Sequence, residues 1–143
     1  MSAPCTTPGI LVVEDDPLVS SYVTEILRKF ALPVCGCASC GPEAIVLAEQ
    51  NEPKLAIADI QLRGPTDGIE VARILRERFG VRTIFLSGVE DDRILERARD
   101  ADPLGMLKKP FLPSQLLDAI PRAFFSGSAM PDEGAGEGAD AAS

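Results

Sequence analysis

Between residues 9 and 125, short unbroken apolar runs alternate with longer stretches in which apolar side chains recur every three or four positions. Ile10-Leu11-Val12-Val13 has no polar face, which predicts a strand covered on both sides. Asp16 and Pro17 follow, a capping carboxylate and a residue whose fixed φ suits a first helical turn. Val19, Val23, Ile26, Leu27 and Phe30 then recur at helical spacing, and Pro33 ends the element. Val34 to Ala38 predicts a second strand, and Gly41-Pro42 opens a helix bearing Ala44, Ile45, Leu47 and Ala48 before the break at Asn51-Glu52-Pro53. Leu55 to Ala58 is a third strand. After a polar loop from Gln61 to Asp67, a helix over 68–79 turns Ile69, Val71, Ala72, Leu75 and Phe79 inward and stops at Gly80. Thr83 to Leu86 is the fourth strand, Asp91 or Asp92 caps a short helix through Ala101, and Met106-Leu107 begins the fifth strand. Pro113 or Ser114 starts a last helix that Pro121 kinks or ends.

Five strands alternating with five helices predict a parallel sheet with right-handed crossovers and helices on both faces, the doubly wound α/β architecture. The 143 residues suit one such domain over 9–125, preceded by an N-terminal extension over 1–8. Residues 126–143 are small or acidic apart from Met130, and a disordered acidic tail is expected there. That segment is too short and polar for a helix-turn-helix or catalytic domain, so a stand-alone domain is expected.

Charge and composition narrow the function. With 22 acidic against 14 basic residues and a net charge of −8, long-range electrostatics oppose nucleic acid and anionic lipid. No apolar run approaches the roughly 20 residues that span a bilayer, and 1–9 lacks the pattern of a signal peptide. A cytoplasmic protein without membrane insertion is expected. Histidine is absent, which removes Ser/His/Asp triads, Cys/His dyads and imidazole metal sites together.

In doubly wound sheets the functional crevice lies beyond the carboxyl ends of the strands. There the sequence places Glu14-Asp15-Asp16, Asp59, Ser87-Gly88 and Lys108-Lys109-Pro110. Carboxylates gathered at strand ends repel one another unless a cation sits among them, and an all-oxygen donor set suits a hard ion such as Mg²⁺. Asp16 reads instead as a helix cap, and Lys108 as a solvated neighbour of Lys109.

These segments, ILVVEDD, AIADIQL, FLSG and LKKPF, resemble the receiver domain of two-component response regulators over essentially all of 9–125. Asp15 and Asp59 are 44 residues apart and Ser87 and Lys109 are 22 apart, spacings typical of that family. The resemblance implies a flavodoxin-like (βα)5 fold with strand order 2-1-3-4-5. It implies that Asp59 is the phosphoacceptor, with Mg²⁺ held by Asp15, Asp59 and the Gln61 backbone carbonyl and by Glu14 through water. Ser87 and Lys109 would contact the phosphoryl group, and Pro110 would follow a cis peptide bond. The implied partners are a histidine kinase or histidine phosphotransfer protein as donor and a downstream protein target. Such a chain is a phosphoacceptor rather than an enzyme with a separate substrate, although it assists its own phosphorylation and dephosphorylation.

The sequence departs from the family pattern in the loop after Asp59, which is one residue longer than usual and carries Arg63 where proline is common. Met106 stands at the switch position usually held by Tyr or Phe, and Ser87 replaces the commoner Thr. Other classes compete with this reading. A pseudo-receiver would keep the fold without being phosphorylated. A thiol-based redox or metal sensor would use Cys35, Cys37 and Cys40, yet Cys35 and Cys37 alternate as small buried hydrophobes on one strand face would. An aspartyl phosphatase would usually carry a second Asp where Gln61 stands.

Overall fold

The computed structural model describes residues 9–64, 66–88 and 90–125, so the expected N-terminal extension and acidic tail lie outside the described residues. The short apolar runs become strands β1 (Ile10–Val13), β2 (Val34–Ala38), β3 (Leu55–Asp59), β4 (Arg82–Ser87) and β5 (Gly105–Lys108). All pair in parallel, in the order β2-β1-β3-β4-β5. The periodic stretches become helices α1 (Pro17–Lys29), α2 (Gly41–Asn51), α3 (Gly68–Phe79), α4 (Asp92–Asp100) and α5 (Pro113–Ala119), followed by a 3₁₀ turn at Arg122–Phe124.

Alternation along each strand divides the interior into two cores. Ile10 and Val12 join Leu55, Ile57, Ile84 and Leu86 on the face covered by Val23, Ile26 and Leu27 of α1 and Leu116 of α5. Leu11 and Val13 join Ala56, Ala58 and Phe85 on the other face, beneath α2, α3 and α4. Every residue of β1 and β3 is buried, which is why those segments carry no polar alternation. Met106, beside Phe85 in the β4–β5 register, packs half-buried against the second core together with Ile94 and Leu95 of α4.

Two local expectations are corrected. Phe30 is not part of the α1 stripe: it caps the helix and is 49% exposed. The chain reverses through Ala31 at φ 58°, and Leu32 takes the core position instead, its N–H donating to the Leu27 carbonyl at 2.9 Å. Nor do Cys35 and Cys37 share a strand face. Ile10 pairs with Val34 but Leu11 with Gly36, so Cys35 is the extra residue of a bulge, and the bulge sends the two side chains to opposite sides of the sheet. Cys35 packs on the α2 side, whereas Cys37 stands opposite Val12 with its Sγ 3.5 Å from Thr24 Oγ1 on α1. Because β2 is a sheet edge, Cys35 is only half-buried and Cys37 is exposed.

The start of α3 determines how tightly the second core closes on β3. Asp67 caps the helix by accepting from the Glu70 N–H at 2.9 Å, and the Gly68 N–H donates to the Ile60 carbonyl at 2.8 Å. A Cβ on Gly68 would lie 1.8 Å from the Asp59 carbonyl oxygen, a backbone atom that no rotamer change can move aside. Glycine is required here by proximity. Gly68→Ala is therefore expected to destabilise the domain by about 1–3 kcal/mol, the usual cost of overpacking. A melting temperature equal to that of the unsubstituted chain would show that α3 shifts freely away from β3.

Candidate functional site

Parallel pairing brings four strand ends to one edge of the sheet. Glu14 follows β1 and donates its N–H to the Ala38 carbonyl at 2.9 Å. Asp59 is the last residue of β3 and stands opposite Leu86, while Ser87 closes β4 with its carbonyl accepting from the Lys109 N–H at 2.8 Å. Glu14, Asp59 and Ser87 are buried, and Lys109 is half-buried. Of the side chains expected at the site, those of Glu14, Asp15, Asp59 and Lys109 come together, while Ser87 is placed at the same strand ends by its backbone bond to Lys109.

Lys109 Nζ donates to Glu14 Oε1 and to Asp59 Oδ2, each at 3.1 Å. The second oxygen of Asp59 accepts from the Gln61 N–H at 3.0 Å, and the second oxygen of Glu14 from the Asp16 N–H at 3.2 Å. Asp15 Oδ2 accepts from the Arg63 N–H at 3.1 Å and lies 3.6 Å from Arg63 Nε. Asp16 caps α1, its Oδ1 accepting from the Leu18 N–H at 2.9 Å, as its place before Pro17 implied. Lys108 points to Glu90 and stays out of the pocket.

Burial, followed by the nearby charge of Asp59, pushes the Glu14 carboxyl up to about 7; the Asp16 N–H and Lys109 oppose that rise without cancelling it. Burial also opposes the charge on Lys109, but its bonds to Asp59 and Glu14 outweigh this and hold the ammonium above its ordinary range. Glu14, Asp15 and Asp59 each offer a carboxylate oxygen, all within 4.8 Å of one another. One ammonium shared between two buried carboxylates, with a third adjoining, leaves an excess of negative charge. A hard divalent cation fits this all-oxygen donor set. Among the described residues this is the group that could hold a metal, and the cysteines form no comparable one.

The family model for the response regulator receiver domain matches residues 10–121. The chain belongs to this family. The receiver is 34% identical over 111 residues to the transcriptional regulatory protein PdtaR of Mycobacterium tuberculosis, an alignment covering 78% of this chain and 54% of that protein. It is 32% identical over 117 residues to the phyllosphere-induced regulator PhyR of Methylorubrum extorquens, covering 81% and 43%. The chain thus spans about half the length of the curated relatives it matches. Among solved structures, the signal receiver domain of a modulated diguanylate cyclase from Desulfovibrio desulfuricans G20 matches with a TM-score of 0.78 and 32% identity, over 82% of this chain and 94% of that one. No helix among the described residues is long and apolar enough to cross a membrane.

One feature of the receiver site agrees with its motifs, and others are not evident from them. The Lys109-Pro110 bond is cis, as the family resemblance implied. The Tyr22 hydroxyl donates to the Phe111 carbonyl at 3.0 Å, and its ring lies 5.6 Å from that of Phe111, bracing the turn after Lys109 against α1. Helical spacing alone does not distinguish Tyr22 from an ordinary surface residue. The contact of Arg63 with Asp15 spans 48 positions and is equally invisible in a linear reading. Gly68 carried a weak signal, the Asp67-Gly68 pair at a helix start.

Glu14 also gives the metal-free receiver a pH dependence of known sign. Its folded-state value lies above its ordinary 4.5, so the native state keeps the proton longer than the unfolded chain. This contribution to stability is complete below the ordinary value and is lost as pH rises through about 7. The metal-free chain should lose melting temperature between about pH 5 and pH 8 relative to Glu14→Gln, which has no such proton. Parallel curves for the two proteins would rule out Glu14 as the titrating group.

Proposed function

We propose that the receiver accepts a phosphoryl group on Asp59 from the phosphohistidine of a histidine kinase or histidine phosphotransfer protein, and signals by phosphorylation-dependent binding of a protein target. The observation that carries this reading is the single ammonium of Lys109 placed 3.1 Å from both Asp59 and Glu14 in the crevice beyond the strands. Asp15, Asp59 and the Gln61 carbonyl would hold Mg²⁺, with Glu14 reached through water; when bound, the ion neutralises charge on the phosphoryl oxygens.

Phosphoryl transfer to a carboxylate needs in-line placement and charge neutralisation more than proton transfer. An Asp59 carboxylate oxygen attacks phosphorus and forms the new P–O bond. The P–N bond breaks with its electron pair left on the imidazole nitrogen, and the imidazole departs neutral because its other nitrogen already carries a proton. Lys109 exchanges its bond to Asp59 for one to a phosphoryl oxygen while Glu14 retains it from below. The Ser87 hydroxyl donates to another phosphoryl oxygen. The receiver acts here as a phosphoacceptor signalling protein, not as an enzyme turning over a separate substrate. The altered contacts of Ser87 and Lys109 reach Met106 through β4 and β5, giving the phosphorylated form a different surface for its partner.

Incubation with acetyl phosphate and Mg²⁺, read by intact mass, should add one phosphoryl group to the native chain and none to Asp59→Asn. Equal labelling of that variant would reject Asp59 as acceptor. Asp15→Asn should weaken Mg²⁺ binding about tenfold or more by calorimetric titration. An unchanged dissociation constant would remove Asp15 from the ligand set.

A further inference from the structure

Arg63 lies in the loop between β3 and α3, and both of its contacts fall on one atom, Asp15 Oδ2: the backbone N–H at 3.1 Å and the side-chain Nε at 3.6 Å. The side chain is 93% exposed, so packing does not direct it there. Among the described residues its charged group has one partner, the Asp15 carboxylate. Asp15 is also one of three carboxylates whose oxygens gather within 4.8 Å. A positive charge thus stands beside one carboxylate of the group whose donor set suits a divalent cation.

We infer that Arg63 is a resident counter-cation that competes with the divalent metal for Asp15 and so sets the metal concentration at which the pocket fills. This rests on the reading of the pocket as a Mg²⁺ site. The guanidinium stands beside Oδ2 as a counter-charge in the metal-free state and repels an incoming cation. Being solvent-exposed, it is held weakly and gives way rather than blocking entry. The backbone N–H persists in any substitution except proline, so the Asp15 contact that shapes the loop survives while the charge is changed. The expected size is that of an exposed ion pair, about two- to fivefold in affinity.

Calorimetric titration of the full chain with MgCl₂ at low ionic strength tests this. Arg63→Gln should bind Mg²⁺ about two- to fivefold tighter than the native chain, and Arg63→Lys, which keeps the charge, should remain close to it. The gap between the native and Gln proteins should narrow as NaCl is raised, since exposed charges are screened. The Gln variant should also gain more melting temperature on addition of Mg²⁺. Equal or weaker binding by Arg63→Gln while the native chain binds Mg²⁺ would overturn the competition and leave the proposed function standing. A native chain that binds no Mg²⁺ would overturn both.

Discussion

Two buried carboxylates share one ammonium, and much of the structure can be understood as the means of holding them there. Glu14 is 95 positions from Lys109 and Asp59 is 50 positions from it, so no local segment could assemble the group. Parallel pairing does so, because it sends the carboxyl ends of β1, β3 and β5 to the same edge. The sheet must then be apolar on both faces to be covered by helices, and this accounts for the uniformly buried β1 and β3. Charge neutrality is left incomplete at the edge, where Glu14 stays proton-hungry and Asp15 draws on Arg63. Stability and readiness for a cation therefore have a single electrostatic origin.

The fold was largely legible because its signals are periodic. Unbroken apolar runs marked strands, three-and-four spacing marked helices, and Asp16-Pro17 and Gly80 marked ends that the structure reproduces. The core site was legible for a different reason: in this topology the residue after each strand is placed by the strand itself, so Glu14, Asp15, Asp59, Ser87 and Lys109 could be read as neighbours. What escaped was whatever depends on a one-residue change of phase or on a contact across the fold. The bulge at Cys35 inverts the facing of everything after it, and no feature of Cys-Gly-Cys announces it. Ala31 at positive φ replaces Phe30 with Leu32 in the core by a turn whose geometry no propensity predicts. Arg63 reaches Asp15 only because two loops meet.

The two faces of the sheet divide the work between them. The α1 and α5 side carries the heavier aliphatic core, while the α2 to α4 side is lined by Ala56 and Ala58 and lets α3 approach until Gly68 rests against the Asp59 carbonyl. Small residues beneath α3 thus fix the backbone of the candidate acceptor itself. On the same side Met106 of β5 packs half-buried against that core, where an unbranched thioether can repack as its neighbours move.

The brace between Tyr22 and Phe111 makes the molecule its own optical probe. The chain has one tyrosine and no tryptophan, so tyrosine emission from the native protein arises from a single ring. That ring is tied by its hydroxyl to the carbonyl two residues beyond Lys109. Quenching by the accepting carbonyl, and its relief when the bond opens, link the light emitted by α1 to the position of the turn that carries the ammonium. Movement of that turn can be followed in solution without a label, in the wavelength range where the rest of the protein is dark.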